Sequence, residues 1–129
     1  MIRIAALFLI ILNSAIAFGQ SAEFSFYKKI LKFDAISEGT PLSFQYEFTN
    51  SGSDPLIIND YKVQCSCTKV AFPKTPVLPG EKASIQVDFD STDKIGWQYR
   101  TIQLYANVPG GVSELEFRVK VGRRTAPRP

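Results

Sequence analysis

Three stretches of this chain alternate apolar and polar residues with a strict period of two, and that pattern restricts the fold more than any other feature. Leu42, Phe44, Tyr46 and Phe48 interleave with Ser43, Gln45, Glu47 and Thr49. Ala83, Ile85, Val87 and Phe89 interleave with Ser84, Gln86 and Asp88; Leu115, Phe117, Val119 and Val121 interleave with Glu116, Arg118 and Lys120. Side chains on a strand point alternately to its two faces, so each stretch predicts a strand with one buried and one wet face. Shorter candidates lie at 24–26, 30–36, 56–58 (continued from Tyr61 towards Cys65), 68–72 and 100–106. Turn chemistry separates them at 50–55, 79–81 and 109–111. Seven or more such strands, with no sustained helical period between them, predict an all-β fold of two packed antiparallel sheets. A closed barrel is the structural alternative.

The first residues have a different character. Met1-Ile2-Arg3 is a short basic start, residues 4–12 read IAALFLIIL without a charge, and Ala15-Ile16-Ala17 has the small residues that signal peptidase requires. A membrane-spanning helix needs about 20 apolar residues, more than this run supplies. A cleaved signal peptide is therefore expected over residues 1–19, cut after Ala17 or Gly19, rather than a retained anchor. One domain follows over 20–122, then a disordered basic tail over 123–129 bearing Arg123, Arg124 and Arg128. The expected product is exported, to the periplasm, the cell envelope or the exterior, with no transmembrane segment after cleavage.

Composition then removes whole classes of chemistry. The chain contains no histidine, which is the usual general base near neutral pH and the commonest metal ligand. Its net charge of +3 is too balanced for a nucleic-acid surface, and no nucleic-acid partner is expected. No nucleophile elbow, phosphate-cradling loop or distinctive pair of acids occurs, so the chain reads as no enzyme and no cofactor is implied.

Several landmarks recur in a recognisable order. Tyr46-Glu47-Phe48-Thr49-Asn50-Ser51-Gly52 leads to Pro55-Leu56-Ile57-Ile58. Cys65-Ser66-Cys67-Thr68, Pro79-Gly80-Glu81 and Val87-Asp88-Phe89-Asp90 follow, and Gly96 precedes a strand ending at Asn107. The series resembles the bacterial family called domain of unknown function 1573. It departs from the family pattern at Ser66 and Asp34, where glycine is usual. The resemblance implies an immunoglobulin-like β-sandwich in an exported protein, of a kind abundant in Bacteroidetes-like bacteria. It implies no activity.

Two features are candidate sites. Trp97, Tyr99 and Tyr105 share one parity with Thr101 and Gln103, opposite to Ile102, Leu104 and Ala106. That phase places three aromatics on the outer face of one strand, where rigid rings suit a partner protein or a sugar. A β-bulge near Tyr99 is the alternative, and would turn Trp97 and Tyr99 inward. The second feature is Cys65 and Cys67, the only cysteines. On an extended strand their Cα atoms would lie about 6.6 Å apart, so a disulfide needs a local bend. A structural bridge or thiol pair, a soft-metal site and a redox pair all remain open there. The acidic run Asp88-Phe89-Asp90-Ser91-Thr92-Asp93 reads as a strand end entering a turn rather than a Ca²⁺ loop.

These readings make the chain a non-catalytic binding or assembly module for a protein or envelope partner. The alternative is a thiol-redox or copper-type protein centred on the Cys-Ser-Cys motif. No metal site is assigned, and oligomeric state stays open.

Overall fold

The computed structural model describes residues 19–124. The leader expected at 1–19 and the tail expected at 123–129 fall outside the described residues, except for Gly19, Arg123 and Arg124. Nine strands form in chain order: β1 (Phe24–Phe26), β2 (Ile30–Lys32), β3 (Ile36–Ser37), β4 (Pro41–Asn50), β5 (Ile58–Val63), β6 (Thr68–Ala71), β7 (Lys82–Asp90), β8 (Gly96–Ala106) and β9 (Val112–Gly122). No helix occurs among the described residues, and none is long and apolar enough to cross a membrane.

The strands make two sheets, ordered β1-β4-β7-β6 and β2-β9-β8-β5, with β3 also on β9. In sequence order these are the first, second, fifth and fourth strands of an immunoglobulin domain facing its third, sixth and seventh. The fold is thus an immunoglobulin-like sandwich and not a barrel. Pairing is antiparallel except at one edge, where β2 and β3 run parallel to β9. The reason is directional. The chain leaves β1 on one sheet and crosses to the other without reversing.

The core forms where the period-two pattern places it. Tyr46 and Phe48 from β4, Ile85, Val87 and Phe89 from β7, Ile102 and Leu104 from β8, and Leu115, Phe117 and Val119 from β9 are all buried. Phe117 contacts Phe44 and Phe89 edge-on, with ring centroids 5.0 and 5.4 Å apart. Tyr46 spans the sandwich, its hydroxyl donating to Glu116 O at 2.6 Å.

Burial first, and the Glu116 carboxylate second, push the Tyr46 phenol well above its ordinary range. The folded protein therefore holds this proton more tightly than the unfolded chain. The resulting stability is complete below pH about 10 and is lost as the pH rises from there towards the folded value. Urea midpoints should fall above pH about 10, and the fall should be shallower in Tyr46→Phe. Identical alkaline slopes would contradict this.

Asn50, buried at the end of β4, ties three segments together. Its Oδ1 accepts from Glu23 N at 3.2 Å and Gly52 N at 3.0 Å. Its Nδ2 donates to Asp54 O at 2.8 Å and Val77 O at 2.9 Å. Every hydrogen-bonding site that a buried amide most needs is filled.

Candidate functional site

β8 is long and unbulged. Its ladder with β9 runs from Gly96↔Val121 to Tyr105↔Val112 without a register shift. No bulge intervenes at Tyr99, so Trp97 and Tyr99 stay on the outer face, 57% and 56% exposed. Their rings stack at 6.0 Å with an interplanar angle of 26°. Tyr105 shares the face but not the cluster. It lies six positions along the strand, about 20 Å away, and its hydroxyl meets Gln103 Oε1 at 3.3 Å.

The neighbouring strands add charge to the stack. Lys120 sits opposite Trp97, and Arg118 opposite Tyr99. Lys32 of β2 is beside Arg118. Directly opposed side chains on a sheet are within contact range, and the Arg118 guanidinium lies 5.7 Å from the Tyr99 ring centroid, within cation–π distance. Glu116 accepts from Arg118 Nε at 2.7 Å. That hydrogen bond, then its charge, raises the guanidinium pKa, so Arg118 is a permanent cation. At the other end of the face Glu114 lies opposite Gln103, and Asp60 opposite Tyr105. The cations gather at the Trp97 end.

Beneath the rings the inner face is polar rather than apolar. Gln98 is buried, and its Oε1 accepts from Arg100 Nη2 at 2.5 Å. Arg100 Nε is buried with no hydrogen-bond partner among the described residues.

One side of this half-strand is also uncovered. Ala106 N donates to Gly111 O towards β9, whereas Asn107 N donates to Ile57 O towards β5. Main-chain groups on a strand alternate in direction, so Trp97 and Tyr99 point theirs towards the β5 side. β5 covers β8 only from Ile102 to Ala106. No backbone partner for Trp97 or Tyr99 exists on that side among the described residues.

The cysteines explain why β5 stops. The chain bends after Val63, and Thr68 N donates to Cys65 O at 3.1 Å, closing a tight turn. Cys65 and Cys67 are bridged across a Cα–Cα distance of 5.1 Å, with Cys67 N donating to Cys65 Sγ at 3.2 Å. The extended geometry expected from the sequence is replaced by a turn because the chain changes sheets here. β6 then begins at Thr68 in the opposite layer. Both cysteines are half-buried, and Cys67 packs against the core. Among the described residues no third cysteine or acid joins them in a metal-binding group. A bridge closing so short a loop constrains little of the unfolded chain, so reduction should cost only about 1–2 kcal/mol. A melting temperature unchanged, or lowered by only a few degrees, on reduction is expected; unfolding on reduction would contradict it.

The acidic run behaves as a strand end. Phe89 is in the core, Ser43 Oγ donates to Asp88 at 2.6 Å, and Thr92 N donates to Asp90 at 3.0 Å. A depression of about 740 Å³ on the other sheet, lined by Tyr27, Glu47 and Lys82 among others, is wide open. Its Phe26–Phe48 ring pair packs against the core, and Glu47 with Lys82 leaves it no one-sided charge.

The sequence pointed to Trp97, Tyr99, Tyr105 and the cysteines but not to Arg118, Lys120, Lys32 or Arg100. Only strand register brings Arg118 and Lys120 opposite the rings and Lys32 beside Arg118, whereas Arg100 lies on β8 itself, on the inner face. A charged residue at an inward parity was the one readable sign of Arg100.

A family model described as "Protein of unknown function (DUF1573)" matches residues 24–121. No curated protein matches the chain. Solved structures similar to it include a protein of unknown function from Porphyromonas gingivalis W83, at 14% identity and a TM-score of 0.69, covering 83% of this chain and 51% of that one. The Vibrio cholerae VesB protease matches at 15% identity and a TM-score of 0.60, over 77% of this chain and 31% of its own. A PapD-like domain of human CEP192 matches at 12% identity and a TM-score of 0.56, over 83% and 89%. The chain thus spans about a third of VesB and half of the Porphyromonas protein. At these identities the likeness is one of fold.

Proposed function

The chain belongs to the family described as Protein of unknown function (DUF1573), and from that premise we propose that it is an exported, non-catalytic binding module acting at the cell envelope or outside it. The observation that carries this reading is the Trp97–Tyr99 stack, more than half exposed on an unbroken strand and flanked by Lys120 and Arg118, with Lys32 one strand beyond. Exposed aromatic pairs with arginine beside them are typical anchors of binding surfaces. Export rests on the basic start, short apolar run and Ala-Ile-Ala of the first residues. The non-catalytic assignment rests on the histidine-free composition and on the lack of any nucleophile–base arrangement in the sequence. The Cys65–Cys67 bridge takes a structural role in this reading, ending β5 and turning the chain to the other sheet.

Trp97→Ala with Tyr99→Ala tests the proposal. Retention of the purified protein on isolated envelopes should weaken by about tenfold or more, with thermal stability nearly unchanged. Unchanged retention by the folded double variant would overturn it.

A further inference from the structure

The uncovered side of β8 has a consequence for what the module takes. A main-chain N–H or C=O pointing outward at a sheet edge is a template for another strand. The free edges of the sandwich are not equal. β5 is interrupted by a register shift between Ile58 and Asp60 and carries Asp60 and Lys62, features that discourage pairing. β6 is only four residues long. The Gly96–Thr101 half of β8 has neither protection. It is unbulged and bears the two exposed rings.

We propose that this half-strand accepts an extended acidic segment of a partner polypeptide as an added strand, in the lane that β5 vacates at Cys65. The inference rests on the binding-module reading and names its partner. Trp97 and Tyr99 supply the unpaired main-chain groups. Side chains of the added strand alternate between two faces. Those on the outer face lie beside the rings, with Arg118 and Lys120 of β9 about 10 Å away across β8 and Lys32 one strand further. Those on the inner face lie beside Arg100, whose Nε lacks a partner. The inner face therefore offers an adjacent cation and the outer face a weaker positive field from Lys120 and the Glu116-paired Arg118 across β8, and acidic side chains complement both. A second copy of this chain is disfavoured, because pairing the same edges would gather the Arg100 cations of both copies at one seam without an acidic complement.

Affinity in strand addition comes chiefly from main-chain hydrogen bonds, so a generic sequence of the right charge is a fair probe. The experiment uses the mature protein and three capped decapeptides: alternating glutamate–valine, the same peptide N-methylated at alternate residues, and alternating lysine–valine. Amide exchange at Trp97 and Tyr99 is read by NMR, alongside emission from Trp97, the only tryptophan in the chain. The glutamate–valine peptide at about 1 mM should slow both amides by about tenfold or more, and the other two should not. Unaltered exchange at both amides would overturn strand addition. Equal slowing by the lysine peptide would overturn the acidic assignment. A change in Trp97 emission without slowed exchange would also overturn addition, and envelope retention by the double variant then decides the broader binding reading separately.

Discussion

Asn50→Ala is expected to lower stability by about 3–5 kcal/mol, enough to remove much of the margin of a domain of this size. The side chain is fully buried, and its loss orphans two donors, Glu23 N and Gly52 N, and two acceptors, Asp54 O and Val77 O. Each buried group left unpaired costs about 1–3 kcal/mol, with water entry recovering part of the sum. The main chain of Asn50 is also paired, to Glu81 O and Gly80 N, and alanine keeps those bonds. The deficit is thus assignable to the amide. Thermal melts should show a fall of roughly 15–30 °C. Asn50→Asp is the informative companion, since it keeps an acceptor for the two N–H groups but turns an oxygen towards two carbonyls. It should be at least as damaging. A loss below about 1 kcal/mol in the alanine variant would mean that these bonds do not hold the three segments together.

Gly52→Ala should produce the next largest effect, for a steric reason. A β-carbon at this position would overlap Ser21 O and lie 2.7 Å from Glu23 N and 2.8 Å from Ala22 C. All three are backbone atoms, so no side-chain rotation relieves the overlap. The Ser21–Glu23 segment must lift away. It would surrender the bonds from Ser53 N to Ser21 O and from Ser51 N to Glu23 O, both 2.9 Å, and expose Ala22. The expected cost is about 2–4 kcal/mol. The amides of Ser51 and Ser53 should exchange much faster while those of β8 and β9 lose protection only through the global change. Unaltered exchange at Ser51 and Ser53 would contradict the account.

These two residues also mark where sequence reading stops. The alternations around Phe44, Val87 and Phe117 are local, and a local pattern suffices to place a side chain on one face of a strand. Hence the core was legible. Asn50 and Gly52 read as turn chemistry, because nothing local reveals that the amide bridges Glu23 and Val77, each 27 positions away. The parallel pairing of β2 with β9 was hidden for a related reason: a strand that changes sheets keeps its direction, and alternation does not encode its partner. The candidate site divides in the same way. Exposure of Trp97 and Tyr99 followed from parity, whereas their placement opposite Lys120 and Arg118, with Lys32 beyond, depends on cross-strand register. The cysteines were visible, but the turn between them was not. It exists because the chain must leave β5 for the opposite layer at that point, and leaving is what uncovers the edge of β8.

The central claim is that the Trp97 end of β8 is the surface that meets a partner. Hydroxyl-radical footprinting of the unmodified protein, free and bound to isolated envelopes, tests it without a substitution. Tyr27, 83% exposed and away from this face, is the internal reference. Oxidation of Trp97 and Tyr99 should fall about tenfold on binding while Tyr27 is oxidised as before. Protection of Tyr27 with Trp97 and Tyr99 unchanged would contradict the claim.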